Sequence, residues 1–148
     1  MQTFLPYPDF KQSLDVLDYR RLGKQRVETH QVLNVLLKRV QPKMKKDGTF
    51  FYGWENHVVT RMWRGYEEAL KLYFNDSVEA WVKRGYKNNM ALEVINYDNL
   101  VLPDWFGRED LHKSHRLKLS WKNWEWYCDK FDDVVTEPIV EPDYVWPV

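Results

Sequence analysis

Three polar side chains, Asp18, Gln25 and Arg26, fall on the face of a long predicted helix that should be apolar. Leu22, Thr29, Leu33, Leu36 and Val40 recur at steps of seven, four, three and four, one stripe of an amphipathic helix, and Arg26 lies one turn from both Leu22 and Thr29. A carboxylate, an amide and a guanidinium in that position border either a polar cleft or a buried ion pair that fixes helix packing. Arg20 and Lys24 share the outward face, next to Arg21, and can line up on phosphates. Gly23 costs about 0.5–1 kcal/mol relative to alanine inside a helix, which points to close approach of another backbone or a ligand.

Two further clusters carry chemistry. Asn56, His57, Arg61, Trp63 and Arg64 lie within nine residues. A histidine with an unperturbed pKa near 6.5 exchanges protons at neutral pH, and Trp63 between Arg61 and Arg64 suits base stacking beside phosphate contacts. His112, Ser114, His115 and Arg116 form the third group, with His115 on the stripe of Leu111 and Leu119 and therefore inward. His115 and Arg116 then suit phosphate or sugar contact. His-x-x-His can hold a metal, but the other ligands have no recognisable spacing, so neither a metal nor a cofactor is expected. No phosphate loop, nucleophile elbow or His-Glu-x-x-His motif is present, which argues against P-loop hydrolysis and ordinary serine hydrolase chemistry.

The elements that must position these residues are helical. Asp9 is a plausible N-cap for a short turn through Leu14, and the long helix runs from about Asp18 to Val40, stopping at Gln41-Pro42. A basic loop over residues 43–48 ends in the Asp47-Gly48 turn signal, and an aromatic cluster at 50–54 leads into a helical stretch over 56–64. A second long helix spans Tyr66 to Arg84, with Ala69, Leu70, Tyr73, Trp81 and Val82 inward, Gly85 at its end, and a restart signalled at Asp76 to Glu79. A shorter helix is expected over 89–97, then one or two Trp-rich helices over 110–131. No convincing strand alternation is present. The fold class is all-α: a compact single-domain helical bundle over residues 1–148 with an extended, acidic, Pro-spaced tail at 134–148.

Apolar residues make up 44% and charges 30% of the 148 residues, which excludes a wholly disordered chain. No run approaches the roughly 20 apolar residues of a spanning helix, and the first nine residues lack the basic and apolar regions of a secretory signal. A cytoplasmic monomer without membrane contact is therefore expected. Net charge is zero, but residues 1–74 hold 13 Lys and Arg against 8 Asp and Glu, while residues 75–148 hold 9 against 14. A basic body with a separate acidic strip fits an anionic ligand, nucleic acid being the obvious candidate.

The segments Met1 to Tyr7, Arg21-Leu22-Gly23-Lys24-Gln25-Arg26-Val27-Glu28, Met62-Trp63-Arg64-Gly65-Tyr66-Glu67-Glu68-Ala69, Ser114-His115-Arg116 and Tyr144 to Val148 resemble small bacterial and phage proteins placed with the pyrimidine-dimer DNA glycosylase family, the family of phage endonuclease V. The likeness to those small proteins covers nearly the whole chain, and that to endonuclease V itself only the first long helix. The resemblance implies an all-α repair hydrolase that needs no metal. It also implies an N-terminal amine as nucleophile on the sugar C1′, a helix glutamate assisting and an adjacent arginine on phosphate. By position the Arg-Glu pair maps onto Arg26 and, with a one-residue slip, Glu28; strict register places Val27 there. Gln2 is too large for the usual removal of Met1, so the available amine is that of methionine.

The expectation is thus a DNA glycosylase, with or without AP-lyase activity, acting on a damaged or modified base in double-stranded DNA. Met1, Glu28, Asp18, His57 and His115 are its catalytic candidates. Arg20, Arg21, Lys24, Arg26, Arg61, Arg64, Arg116 and Trp63 are its DNA-binding candidates. The alternatives are a non-catalytic nucleic-acid or nucleotide-binding module and an enzyme acting on a free nucleotide or nucleoside.

Overall fold

The computed structural model describes residues 1–148. Six helices follow one another: α1 (Phe10–Asp15), α2 (Tyr19–Leu36), α3 (Val58–Trp63), α4 (Glu67–Lys83), α5 (Glu109–Lys122) and α6 (Trp124–Tyr127). A two-residue antiparallel hairpin, β1 (Lys43–Met44) and β2 (Phe50–Phe51), is the sole sheet, so the fold is all-α. Twenty-three buried apolar residues form one cluster, centred where α2 and α1 pack on α4. No helix is long and apolar enough to cross a membrane.

Local chemistry accounts for several of the helix ends. The Asp9 carboxylate accepts from the Gln12 N–H at 2.7 Å and caps α1. α2 stops four residues short of the expected Val40, because Lys38 takes a left-handed φ of 55° and the Arg39 N–H turns back to the Asn34 carbonyl. α4 runs through Asp76 to Glu79 without restarting; the Ser77 hydroxyl donates to the Phe74 carbonyl inside the helix. Val82, expected inward, is half exposed. Gly85 follows α4 with φ 91°, the left-handed turn a glycine supplies there.

Residues 89–96 form no helix. The Asn75 side chain donates to the Glu93 carbonyl and accepts from the Glu93 N–H, at 2.9 and 2.8 Å, while Glu68 accepts from the Asn96 N–H. Side chains of α4 thus satisfy backbone groups that a helix would otherwise have paired. Only a 3₁₀ turn at Tyr97–Asn99 remains. From Val134 the chain is free of helix, and Tyr144, Val145 and Trp146 pack against the core.

The feature that organises the site is the N-terminal segment. Residues 2–6 are buried although they belong to no helix or sheet, so their backbone groups must be satisfied by side chains. From α2, Gln25 accepts from the Phe4 N–H (2.9 Å) and donates to the Gln2 carbonyl (3.1 Å). From α5, His115 Nδ1 accepts from the Leu5 N–H (2.9 Å), His112 Nδ1 donates to the Leu5 carbonyl (2.7 Å), and Arg116 donates to the Pro6 carbonyl (2.7 Å). From α4, the Tyr73 hydroxyl reaches both the Phe4 carbonyl and Gln25 Oε1. Trp63 donates its indole N–H to the Thr3 hydroxyl at 2.9 Å.

Candidate active site

This grip delivers Met1 into an open cleft of about 710 Å³ between α2, the end of α5 and the tail. Asp18, the N-cap of α2, and Arg21, Gln25 and Glu28 within it are spaced three, four and three residues apart, so they present one stripe to the cleft, with Arg20 and Lys24 flanking it. Lys118, Lys122 and Asn123 come from α5 and its C-cap, and Glu141 and Tyr144 from the tail.

The charges are unevenly partnered. Arg21 pairs with Asp18 at 3.2 Å, and Lys118 with Glu141 at 2.6 Å. Arg20, Lys24 and Lys122 make no salt bridge, leaving three free cations on the walls. Burial, then Arg21 and Lys118 nearby, hold the Lys122 ammonium below its ordinary pKa. Among the carboxylates, Asp18 is saturated: it accepts from the Tyr127 hydroxyl at 2.5 Å and from Arg21. Glu28 instead holds a single long contact, from the Gln2 N–H at 3.4 Å, and stays available.

His57 does not line the cleft but is coupled electrostatically to its Met1 end. Its Nδ1 accepts from the Val59 N–H at 3.2 Å as the N-cap of α3, which puts any proton of the neutral ring on Nε2. Its pKa lies below 6.5, chiefly through desolvation and then through the positive N-terminus, while Glu28 pulls the other way. The Met1 amine, His57 and Glu28 therefore sit within electrostatic reach of one another.

The remaining candidates from the sequence are placed elsewhere. Arg26 is rotated about 100° from Gln25 and leaves the cleft: it donates to Asn88 at 2.7 Å and lies over the Trp81 ring at 4.4 Å. His115 is fully buried, and burial drives its pKa down to about 3, so it is a neutral acceptor for the Leu5 N–H and does not line the cleft. Arg116 is spent on Pro6, Glu109 and Asp133. Trp63 has no exposed surface and offers no face for stacking. Arg61 and Arg64 are exposed but lie off the cleft, with Arg64 donating to the Glu55 carbonyl. Sequence reasoning missed Lys118, Lys122, Asn123, Glu141 and Tyr144. The four-residue spacing of Lys118 and Lys122 was the one available signal.

An all-α protein that threads its own N-terminus into a cationic cleft is the class that this fold and site define. The model of the pyrimidine dimer DNA glycosylase family matches residues 1–94, and the chain belongs to that family. No curated protein and no solved structure gives a significant match. The family match takes in Met1, His57 and the whole cleft stripe of α2, and it ends before α5 and the tail.

Proposed function

We propose that the protein is a DNA glycosylase that excises a damaged or modified base from double-stranded DNA, with the Met1 amine as nucleophile. The observation that carries this reading is that Met1 and Glu28 line one cleft together with Arg20, Lys24 and Lys122, which have no ion partner, while His57 outside the lining is electrostatically coupled to the amine and Glu28. Those cations suit the phosphates on either side of one nucleotide. The cleft has room for that nucleotide once it leaves the stack.

The chemistry follows from the groups present. The amine must be unprotonated to attack, and its proton passes to solvent in the open cleft; His57, whose Nδ1 lone pair is taken by the Val59 N–H, stays neutral beside it. A C–N bond then forms at C1′ as the bond from C1′ to the base breaks, and the proton that the attacking nitrogen sheds goes to the departing base. Glu28 stabilises the positive charge that develops on the sugar. Opening of the sugar ring leaves an imine between Met1 and C1′. Loss of a C2′ proton from that imine expels the 3′-phosphate, the AP-lyase step. Asp18 and Gln25 position: the first orients Arg21, the second holds residues 2 and 4.

The test is incubation with ultraviolet-irradiated duplex and with abasic-site duplex, in the presence of borohydride. The reading predicts strand cleavage of both and a covalent adduct trapped by reduction. Absence of both cleavage and adduct would reject it. Salt-sensitive DNA binding that persists without turnover would then assign the cleft to recognition alone.

A further inference from the structure

Across the ridge of α2 from the cleft lies a second hollow of about 610 Å³, floored by Gly23 and walled by Tyr19, Val27 and Trp81. The two hollows share Arg20, Lys24 and Glu28, so one continuous surface runs over the helix from the cleft to this groove. Tyr19 and Trp81 lie nearly parallel, 21° apart with centroids at 5.7 Å, and Tyr86 backs Trp81 at 4.4 Å. The Arg26 guanidinium also covers the Trp81 ring. Tyr19 nevertheless keeps 53% of its surface exposed, and Tyr86 38%.

The stack is held rigidly. The Trp81 indole N–H donates to the Lys87 carbonyl at 2.7 Å, and its ring lies so close to Gly23 that a Cβ there would meet it at 3.1 Å. Close approach at Gly23 is thus made by an aromatic ring, which the absence of a side chain lets settle on the helix. A preordered aromatic face beside two unpaired cations has the composition of a base-stacking platform with its phosphate anchors.

We infer that Tyr19, supported by Trp81 and Tyr86, is a second nucleobase subsite: it takes one unstacked base of the strand whose phosphates lie on Arg20 and Lys24. The inference rests on the DNA reading above and extends it from one bound nucleotide to two, one on each side of α2. The ligand class is a base with its flanking phosphate, recognised through its π face and without sequence selection.

The experiment uses the full chain and three duplexes: fully paired, carrying one unpaired base, and carrying an unpaired tetrahydrofuran residue without a base. Wild-type protein should favour the unpaired base over the baseless residue. Tyr19→Ala should erase that preference, weakening binding to the first by about 5- to 150-fold while leaving the salt dependence unchanged. Tyr19→Leu keeps apolar bulk at the helix start and should behave like Tyr19→Ala, and Tyr19→Phe should behave like wild type. Undiminished preference in folded Tyr19→Ala or Tyr19→Leu overturns the subsite and leaves the DNA reading standing. Failure of wild-type protein to bind any of the three duplexes overturns the DNA reading, and the subsite with it.

Discussion

The mouth of the cleft and the root of the N-terminal segment are built from similar residue types and differ in how their polar groups are spent. At the root, residues 4–6 have their buried backbone groups bonded to Gln25, His112, His115 and Arg116. At the mouth, Glu28 has one long contact and Arg20, Lys24 and Lys122 have no ion partner. Satisfied polar groups fix a conformation, whereas unsatisfied ones at an open surface wait for a ligand. The two histidines make the same point. His115 and His57 each accept one backbone N–H, yet complete burial holds His115 neutral, while His57 is only partly buried and feels the amine.

The comparison can be broken by substitutions on each side. The largest effect is expected at the mouth: Glu28→Gln should lower glycosylase activity about 100-fold or more with no change in thermal midpoint. A fall in stability instead would make Glu28 part of the scaffold. Next comes the root, where His115→Leu leaves the buried Leu5 N–H without its acceptor and should cost about 1–3 kcal/mol in denaturant unfolding.

The root also predicts a pH dependence. The folded pKa of His115, about 3, lies below the ordinary 6.5, so its contribution is complete above pH 6.5 and declines as pH falls toward 3. Asp76, raised by burial to about 6 from 3.8, acts in the opposite direction between those values. Asp76→Asn should therefore be more stable than wild type at pH 8, with the advantage fading as pH falls through 6. In that variant the His115 loss is unmasked, roughly 2.5 kcal/mol between pH 7 and pH 4.5. A flat profile would mean that His115 is not sealed. The smallest effects separate cleft cations from the rest. Lys122→Gln should reduce the salt slope of DNA binding by about one unit, and Arg61→Gln should leave that slope and the affinity unchanged.

Legibility in the sequence followed the range of the interactions. α2, α4 and α5 show in the pattern because helical periodicity is local, and Asp9 announces α1 for the same reason. Residues 89–97 were misjudged because their backbone partners lie on Asn75 and Glu68, side chains more than fifteen residues away in sequence. Within the site, the polar face of α2 was visible as charges interrupting an apolar stripe. That Gln25 and Glu28 reach the cleft and Arg26 does not was hidden, since one helical step of about 100° separates Arg26 from Gln25 and only the packing of Trp81 shows where Arg26 goes. Lys122 and Glu141 enter through tertiary packing of α5 and the tail, which no local pattern encodes.

The central claim is that the first amine of the chain, and no lysine of the cleft, attacks the sugar. Peptide mass mapping of the borohydride-reduced adduct with abasic-site DNA tests it most directly, because Lys24, Lys118 and Lys122 offer competing amines in the same cleft. The account predicts the sugar remnant on the Met1 nitrogen; finding it on Lys122 or another lysine would contradict it.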